Sequence, residues 1–430
     1  MRLLRDLILL SGLLLVAPWR SRSRRHLRRL WRPLPPLLGS GSRAVVHAVS
    51  LGEVNASAKL VHELTELGLD VVCSSTTLSG HQRSRELHPS LNHTDWPLDI
   101  SFCCRRWLDH VNPDVLVLVE LEVWPTLVAM AKHRGIPVMV VNGRLSERSF
   151  RRSKRWELVL RDGYANLSRV FAQSENDANR FCQMGVAEEL VSVHPNLKWD
   201  REACCSKDVE AIRLALRLDD TRPVVLFASS APEEHRIFAK AIPASWQAVI
   251  APRRPEWFDE AMQTFPNARL RTDPDACGDT VVLNTLGELE AVFALADVVV
   301  MGRSFGARHG SDPMGPAAAG KPTLVGPNYG DFSPAVEALQ AAGALEVVRA
   351  EELTRRLSEL ASCRETLRRM GAAGEQVAAA SQGVAGIVAI EIAGNTQPPR
   401  RDRGGAEEKE ESVHRGAKKT SASGGVHGHK

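Results

Sequence analysis

Several short segments of the chain place ionisable residues directly behind apolar runs. The first is Ser50-Leu51-Gly52-Glu53, which follows the run Ala44–Val49. A carboxylate at that place can take a proton from a hydroxyl nucleophile, and the glycine admits a ligand close to the backbone. Glu53 would equally suit the first turn of a helix, where an acid complements the macrodipole. The second is Glu120-Leu121-Glu122-Val123-Trp124-Pro125, behind the strongest apolar run, Asp114–Val119. Two carboxylates there are costly to bury without a role. Asn142-Gly143-Arg144-Leu145-Ser146 follows another run, and Arg144 either meets substrate or pairs with one of those acids. The third is Asn196-Leu197-Lys198. Its lysine can neutralise a leaving phosphate, or it is simply a solvated surface lysine.

The second half of the chain repeats the theme with cations. Pro252-Arg253-Arg254-Pro255-Glu256 follows an apolar run, and Leu286-Gly287-Glu288-Leu289 opens a predicted helix whose amides face whatever lies above it. Gly310 to Gly320, with Asp312 and Gly315, is rich in small residues that let a nucleotide lie close to the backbone. No Walker A and no G-x-G-x-x-G stands between a strand and a helix, which argues against an ATPase or a dinucleotide oxidoreductase. The Asp273-Pro274-Asp275 spacing falls in a predicted loop, so no metal site is expected, and no cofactor.

These residues need a scaffold, and the pattern from residue 43 onward is strand, turn and helix in repetition. Predicted strands are Ala44–Val49, Val71–Ser75, Asp114–Val119, Pro137–Val141, Val170–Ala172 and Val191–Val193. Ser50–Asn55 is read as a turn, with helices over Ala56–Leu67 and Trp124–His133. After a charged helical stretch near Arg201–Asp220 the pattern restarts with Val224–Ala228, Gln247–Ala251, Val281–Leu283, Val298–Met301 and Thr323–Val325. Continuous apolar strands alternating with helices mean parallel sheets covered on both faces. Right-handed crossovers then make each half doubly wound, with its site at the C-terminal strand ends. The expected organisation is an N-terminal domain over 33–205, a linker over 206–220, a second domain over 221–396 and a disordered tail over 397–430.

The 430 residues carry a formal charge of +4. That sum hides +8 over residues 1–32, +3 over 397–430 and −7 between them. An acidic body gives no reason to expect nucleic acid as a partner. Residues 1–32 join the apolar run Leu7–Ala17 to an arginine cluster flanked by Trp19 and Trp31. The run is short for a full span and lacks the charge order of a cleaved signal. A helix lying in the interface, its arginines against anionic lipid, fits better and leaves the body on the cytoplasmic side; an amphipathic helix docked on its own domain is the other reading. The eight cysteines show no C-x-x-C and no zinc pairing, as befits a reducing compartment.

The order and spacing of five segments resemble the 3-deoxy-D-manno-octulosonic acid (Kdo) transferases of lipopolysaccharide synthesis. They are His47–Val54, Glu120–Pro125, Val141–Ser149, Asn196–Lys198 and Leu286–Leu289, within a likeness running from Val45 to Ala344. The resemblance implies a GT-B fold, two Rossmann-like domains facing a cleft, and an N-terminal membrane-associated helix. It implies CMP-Kdo as donor and a lipid A precursor as acceptor, on the cytoplasmic face of the cell inner membrane. Glu53 matches the family's general base, with Ser50, Gly52 and Arg144 on the acceptor side. Glu120 and Lys198 match positions of transition-state stabilisation. Pro252, Arg253, Leu286, Gly287 and Glu288 match CMP contacts, with Asp312 and Gly315 in the donor stretch.

The donor half departs from that pattern. Gly315 stands where the family has Glu before Pro316, Ala231 and Arg254 replace histidines, and Pro195 replaces the Gly before Asn196. Loss of one carboxylate costs about 1.5–3 kcal/mol of donor binding unless Asp312 or a water substitutes. The alternatives these departures raise are a related GT-B enzyme with another nucleotide sugar, and a non-catalytic membrane-bound homologue.

Overall fold

The computed structural model describes residues 34–39, 41–121, 123–201, 206–265, 267–273 and 278–396. The predicted N-terminal segment 1–32, Glu122, the cysteines at 204, 205 and 277, and the tail 397–430 lie outside the described residues.

Fourteen described strands form two parallel sheets of seven. The first contains β1 (Arg43–His47), β2 (Asp70–Ser75), β3 (Asn92–Asp95), β4 (Val115–Val119), β5 (Val138–Gly143), β6 (Arg169–Ala172) and β7 (Val191–Val193). Their spatial order is β3-β2-β1-β4-β5-β6-β7. The second contains β8 (Val224–Ser230), β9 (Gln247–Pro252), β10 (Ala268–Leu270), β11 (Thr280–Val282), β12 (Val298–Met301), β13 (Thr323–Val325) and β14 (Leu345–Val347), ordered β10-β11-β9-β8-β12-β13-β14. In each sheet the order reverses beside the first strand, which opens a crevice at the C-terminal strand ends.

Alternation along the strands builds the cores. Val45, Leu116, Leu118, Val138 and Val140 point to one face of the first sheet, while Val46, Val115, Val117, Val119 and Val141 point to the other. The second sheet divides in the same way, with Leu226 and Val249 on one side and Val225, Phe227 and Ile250 on the other. Each such side chain is worth about 1.5–3 kcal/mol when fully buried. With two faces to cover, the central strands are apolar over most of their length, and this is why chemistry collects at their C-terminal ends.

The last described helix ties the second half to the first. Helix Ser206–Leu216, in the stretch expected as a linker, buries Ile212 and Leu216 in the core of the second sheet. The last described helix, Val384–Gly394, lies within the stretch assigned to the second domain but packs on helix Leu51–Glu66 of the first half. Val384, Val388 and Ile392 complete the core there. Asp200 fixes its start, taking hydrogen bonds from the Gly383 and Ala385 amides, both at 2.5 Å.

Arg364–Gly394 is long and apolar enough to cross a membrane by length and composition. It is nevertheless broken into two helices at Gly383, whose φ of +88° suits a glycine.

Candidate active site

The turn predicted after β1 is shorter than expected, because the helix starts at Leu51 and not at Ala56. Ser50 is its N-cap, with its hydroxyl accepting the Glu53 amide at 3.4 Å. The Glu53 carboxylate returns the contact, accepting the Ser50 hydroxyl at 2.8 Å and the Val49 amide at 2.7 Å. Glu53 is thus a capping residue as well as a candidate base. Burial, and next the charge of Glu120, raise its pKa above the ordinary glutamate value. Gly52 faces open space, with only the Ser50 hydroxyl within 4 Å of a built Cβ.

Glu120 ends β4 in the left-handed region, φ +63°, its amide bonded to the Val141 carbonyl at 2.9 Å. A non-glycine residue held there costs about 1–3 kcal/mol and is a common mark of functional sites. Asn142, at the end of β5, has the same distortion at φ +53°. Its Oδ1 accepts the Leu197 amide at 3.0 Å, and its carbonyl accepts Gln173 Nε2 at 2.9 Å. Gln173 Oε1 in turn accepts Asn196 Nδ2 at 2.9 Å, and Asn196 Oδ1 accepts the Lys198 amide at 3.0 Å. A chain of three amide side chains therefore aims Lys198. Gln173 was missed in the sequence, although its place directly behind β6 follows the strand-end rule.

Contacts across the cleft bring the two sheets' C-terminal ends together. Arg144 Nη2 meets Asp331 Oδ1 at 2.9 Å, and Lys198 Nζ lies 5.4 Å from the centre of the Phe332 ring. Arg144 is thus paired with an acid, though one from the second half rather than Glu120. Arg201 bridges to Glu290 and Asp312, each at 2.7 Å. Burial pushes the Asp312 carboxyl up, but the charge of Arg201, aided by Lys198, carries it below the ordinary aspartate value. Gly315 is packed tightly, since a Cβ there would lie 2.7 Å from Phe293 Cε2 and 2.8 Å from Arg201 Nη1. Arg201, Asp331 and Phe332 had no sequence signal, because only the apposition of the halves gives them a place.

On the second sheet, Pro252 closes β9 and the exposed Arg253 follows it, its amide on the Ser230 carbonyl at 3.0 Å. Leu286 is exposed, Gly287 takes φ +91°, and Glu288 caps the short helix Leu289–Leu295. The Glu288 carboxylate is engaged by Arg271 at 2.8 Å and by the Thr285 hydroxyl. The described residues contain no group of His, Cys, Asp and Glu that could hold a metal. A further cavity of about 480 Å³ lies at the β3 edge, lined by Leu34, Leu78, Arg85, Trp96, Arg106 and Trp107 among others.

Comparison with known proteins agrees with this arrangement. Residues 20–201 match the sequence model described as 3-Deoxy-D-manno-octulosonic-acid transferase (kdotransferase). The 3-deoxy-D-manno-octulosonic acid transferase of Bordetella pertussis is 34% identical over 329 residues, covering 70% of this chain and 74% of that protein. The transferase of the same name from Haemophilus influenzae is 27% identical over 358 residues, covering 79% and 83%. Among solved structures, a glycosyltransferase from Rickettsia africae superposes with TM-score 0.61 at 12% identity, covering 83% of this chain and 100% of that one. A UDP-GlcNAc 2-epimerase from Neisseria meningitidis does so with TM-score 0.61 at 13% identity, covering 82% and 99%. These two share the GT-B-like fold and nothing finer. Strand-end carboxylates, a cleft between two doubly wound sheets and the length of the Bordetella match lead to one conclusion: the chain belongs to the 3-deoxy-D-manno-octulosonic acid transferase family of glycosyltransferases.

Proposed function

We propose that the chain transfers Kdo from CMP-Kdo to a lipid A precursor, lipid IVA, with Glu53 as the general base. The reading rests above all on Glu53: a carboxyl at the cleft, with its pKa raised by burial and by Glu120. A raised pKa makes it a stronger base toward the acceptor hydroxyl. As the bond to CMP breaks, the sugar carbon gains oxocarbenium character. Glu120 faces that positive charge, while Lys198 and Arg253 neutralise the leaving phosphate. Pro252, Leu286, Gly287 and Glu288 shape the nucleotide's seat. Acceptor binding falls to residues 33–205 and donor binding to 221–396.

The groove at the β3 edge supports a lipid acceptor, since it sets apolar walls beside Arg85 and Arg106. It also adjoins the base: Leu78 starts the helix capped by Thr77, whose hydroxyl bonds the Val49 carbonyl, and the Val49 amide bonds Glu53. The basic, apolar segment 1–32 then holds the enzyme on the cytoplasmic face of the inner membrane. The test is release of CMP by the full chain supplied with CMP-Kdo and lipid IVA, beside E53Q. Turnover lost in E53Q supports the reading. Equal rates for the two proteins remove Glu53 from its role, and turnover only with another nucleotide sugar removes the donor.

A further inference from the structure

The C-terminal ends of β9, β8 and β12 lie side by side and carry more positive charge than a phosphate needs. Arg253 and Arg254 follow β9, and Arg303 follows β12 across the intervening Ser230. Both flanking contacts to Ser230 are close. The Arg253 amide bonds its carbonyl at 3.0 Å, and a Cβ on Gly302 would fall 2.6 Å from its Cα. Arg254 and Arg308 both stack on Trp257, with guanidinium carbons 5.2 and 4.8 Å from the ring centre. Arg308 is paired with Glu233. Among the described residues, neither Arg253 nor Arg303 has a carboxylate within salt-bridge distance.

Arg303 is also held in place at a cost. Its φ is +61°, a conformation that a long side chain rarely adopts. The fully buried Glu234 enforces it, accepting the amides of Ala231 at 3.0 Å, Arg303 at 2.7 Å and Phe305 at 3.0 Å. Glu234 binds the Arg303 backbone and leaves its guanidinium otherwise engaged only with the Arg308 carbonyl at 3.3 Å. Burial, and next the charge of Arg253, hold that guanidinium below the ordinary arginine pKa, while Asp331 acts in the opposite sense. An uncompensated cation fixed in a strained conformation at a strand end is poised for an anion.

We propose that Arg303 binds the carboxylate of the donor's sugar acid, beside the phosphate held by Arg253. The inference rests on the CMP-Kdo reading above. A nucleotide-linked 2-keto sugar acid carries its carboxylate and its phosphate ester on the same carbon. Such a donor needs two neighbouring cations, whereas the carboxylate-free CMP product needs one. Arg303 also feels the charge of Asp331, which pairs with Arg144 of the acceptor wall at 2.9 Å. That places the sugar between the two walls and the nucleotide on the far side.

Two substitutions separate charge from backbone. R303G removes the guanidinium and suits φ +61°, so the fold is retained; R303K keeps the charge on the same strained backbone. The measurements are the Kd of CMP by calorimetry and the KM of CMP-Kdo from CMP release, on the full chain. R303G is expected to bind CMP within about twofold of the unaltered protein and to raise the KM of CMP-Kdo about tenfold or more. R303K is expected to recover part of that loss. Equal weakening for CMP and CMP-Kdo overturns the proposal, since Arg303 then serves the phosphate. No change for either overturns it as well. If the unaltered protein binds neither CMP nor CMP-Kdo, the donor reading itself fails and this one falls with it.

Discussion

On the first sheet the strand ends carry carboxylates held by backbone and hydroxyl donors, and on the second they carry guanidiniums with few acids to answer them. Glu53 sits in a reciprocal cap with Ser50, and Glu120 is fixed by the β4 backbone. Arg253 and Arg303 flank Ser230 and await a counter-charge. The acidic wall is complete without ligand, whereas the basic wall is not. An acceptor hydroxyl is neutral and needs only a base, so its wall can be finished by the protein alone. An anionic donor must be discriminated by charge, so its wall stays electrostatically open until the donor arrives. The ion pair between Arg144 and Asp331 and the bridge from Arg201 to Asp312 join the two.

The largest expected effect tests the acidic wall. E53Q keeps an oxygen to accept the Val49 amide and removes the basicity, its Nε2 donating to the Ser50 hydroxyl that formerly donated to the carboxylate, so kcat should fall by about 10²- to 10⁴-fold with only a small change in the thermal midpoint. E53A should show the same loss together with about 0.5–2 kcal/mol of destabilisation from the broken cap. If E53Q retains full turnover, Glu53 is a cap and nothing more.

The seam comes next. D312A strands the partly buried Arg201 with Glu290 as its remaining acid partner, at an expected cost of about 2–3 kcal/mol by denaturant unfolding. The sign with pH follows from the depressed carboxyl. The contribution is present above the unfolded aspartate pKa and is lost as pH falls through the lower folded value. The stability gap between the native chain and D312N should therefore shrink on acidification within that window. A gap that widens toward acid would mean Asp312 is not held ionised by Arg201.

A smaller effect concerns the departure at Gly315. G315E places its Cβ against the Phe293 ring, which lies in the core of the second half. It should cost about 1–2 kcal/mol of stability and leave the KM of CMP-Kdo no lower. Here Asp312 and Arg201 already occupy the neighbourhood. A lower KM in G315E would show that the space is open and that a carboxylate is still wanted there.

What could be read from the sequence divides along physical lines. β12 and β13 match their predicted spans residue for residue, and β4 to within one, because a strand covered on both faces must be continuously apolar; β7 matches as well, although it is a partly exposed edge strand. β3, β10 and β14 escaped because charged or polar residues interrupt their short spans, as in Asn92-His93-Thr94-Asp95, which looks like loop. The start of helix Leu51–Glu66 was set too late because Ser50 and Glu53 resemble a turn until their reciprocal bonds are seen. The helix Val384–Gly394 is apolar but for Glu391, with no polar face to orient it, so its sequence names no partner, and only the fold carries it back to the first half. Glu53, Glu120, Arg144, Lys198 and Arg253 were legible because each follows a predicted strand. Arg201 and Asp331 depend on the meeting of two halves more than a hundred residues apart, which no local pattern encodes.

The finest test asks whether Glu120 tunes Glu53 across the floor of the acidic wall. Burial is the larger cause of the raised Glu53 pKa and Glu120 the next, while the Val49 amide and the Ser50 hydroxyl oppose both. E120Q preserves the side-chain shape and the β4 backbone and removes one negative charge. Whatever activity remains should then show its acidic kcat/KM limb at lower pH than the unaltered enzyme, since a like charge no longer disfavours ionisation of the base. The displacement should be partial, because burial is untouched. High salt should move the limb the same way but by less, since both carboxylates are only partly buried and salt screens their repulsion. A limb that stays in place, or moves toward higher pH, would separate the two carboxylates and leave Glu120 to the transition state alone.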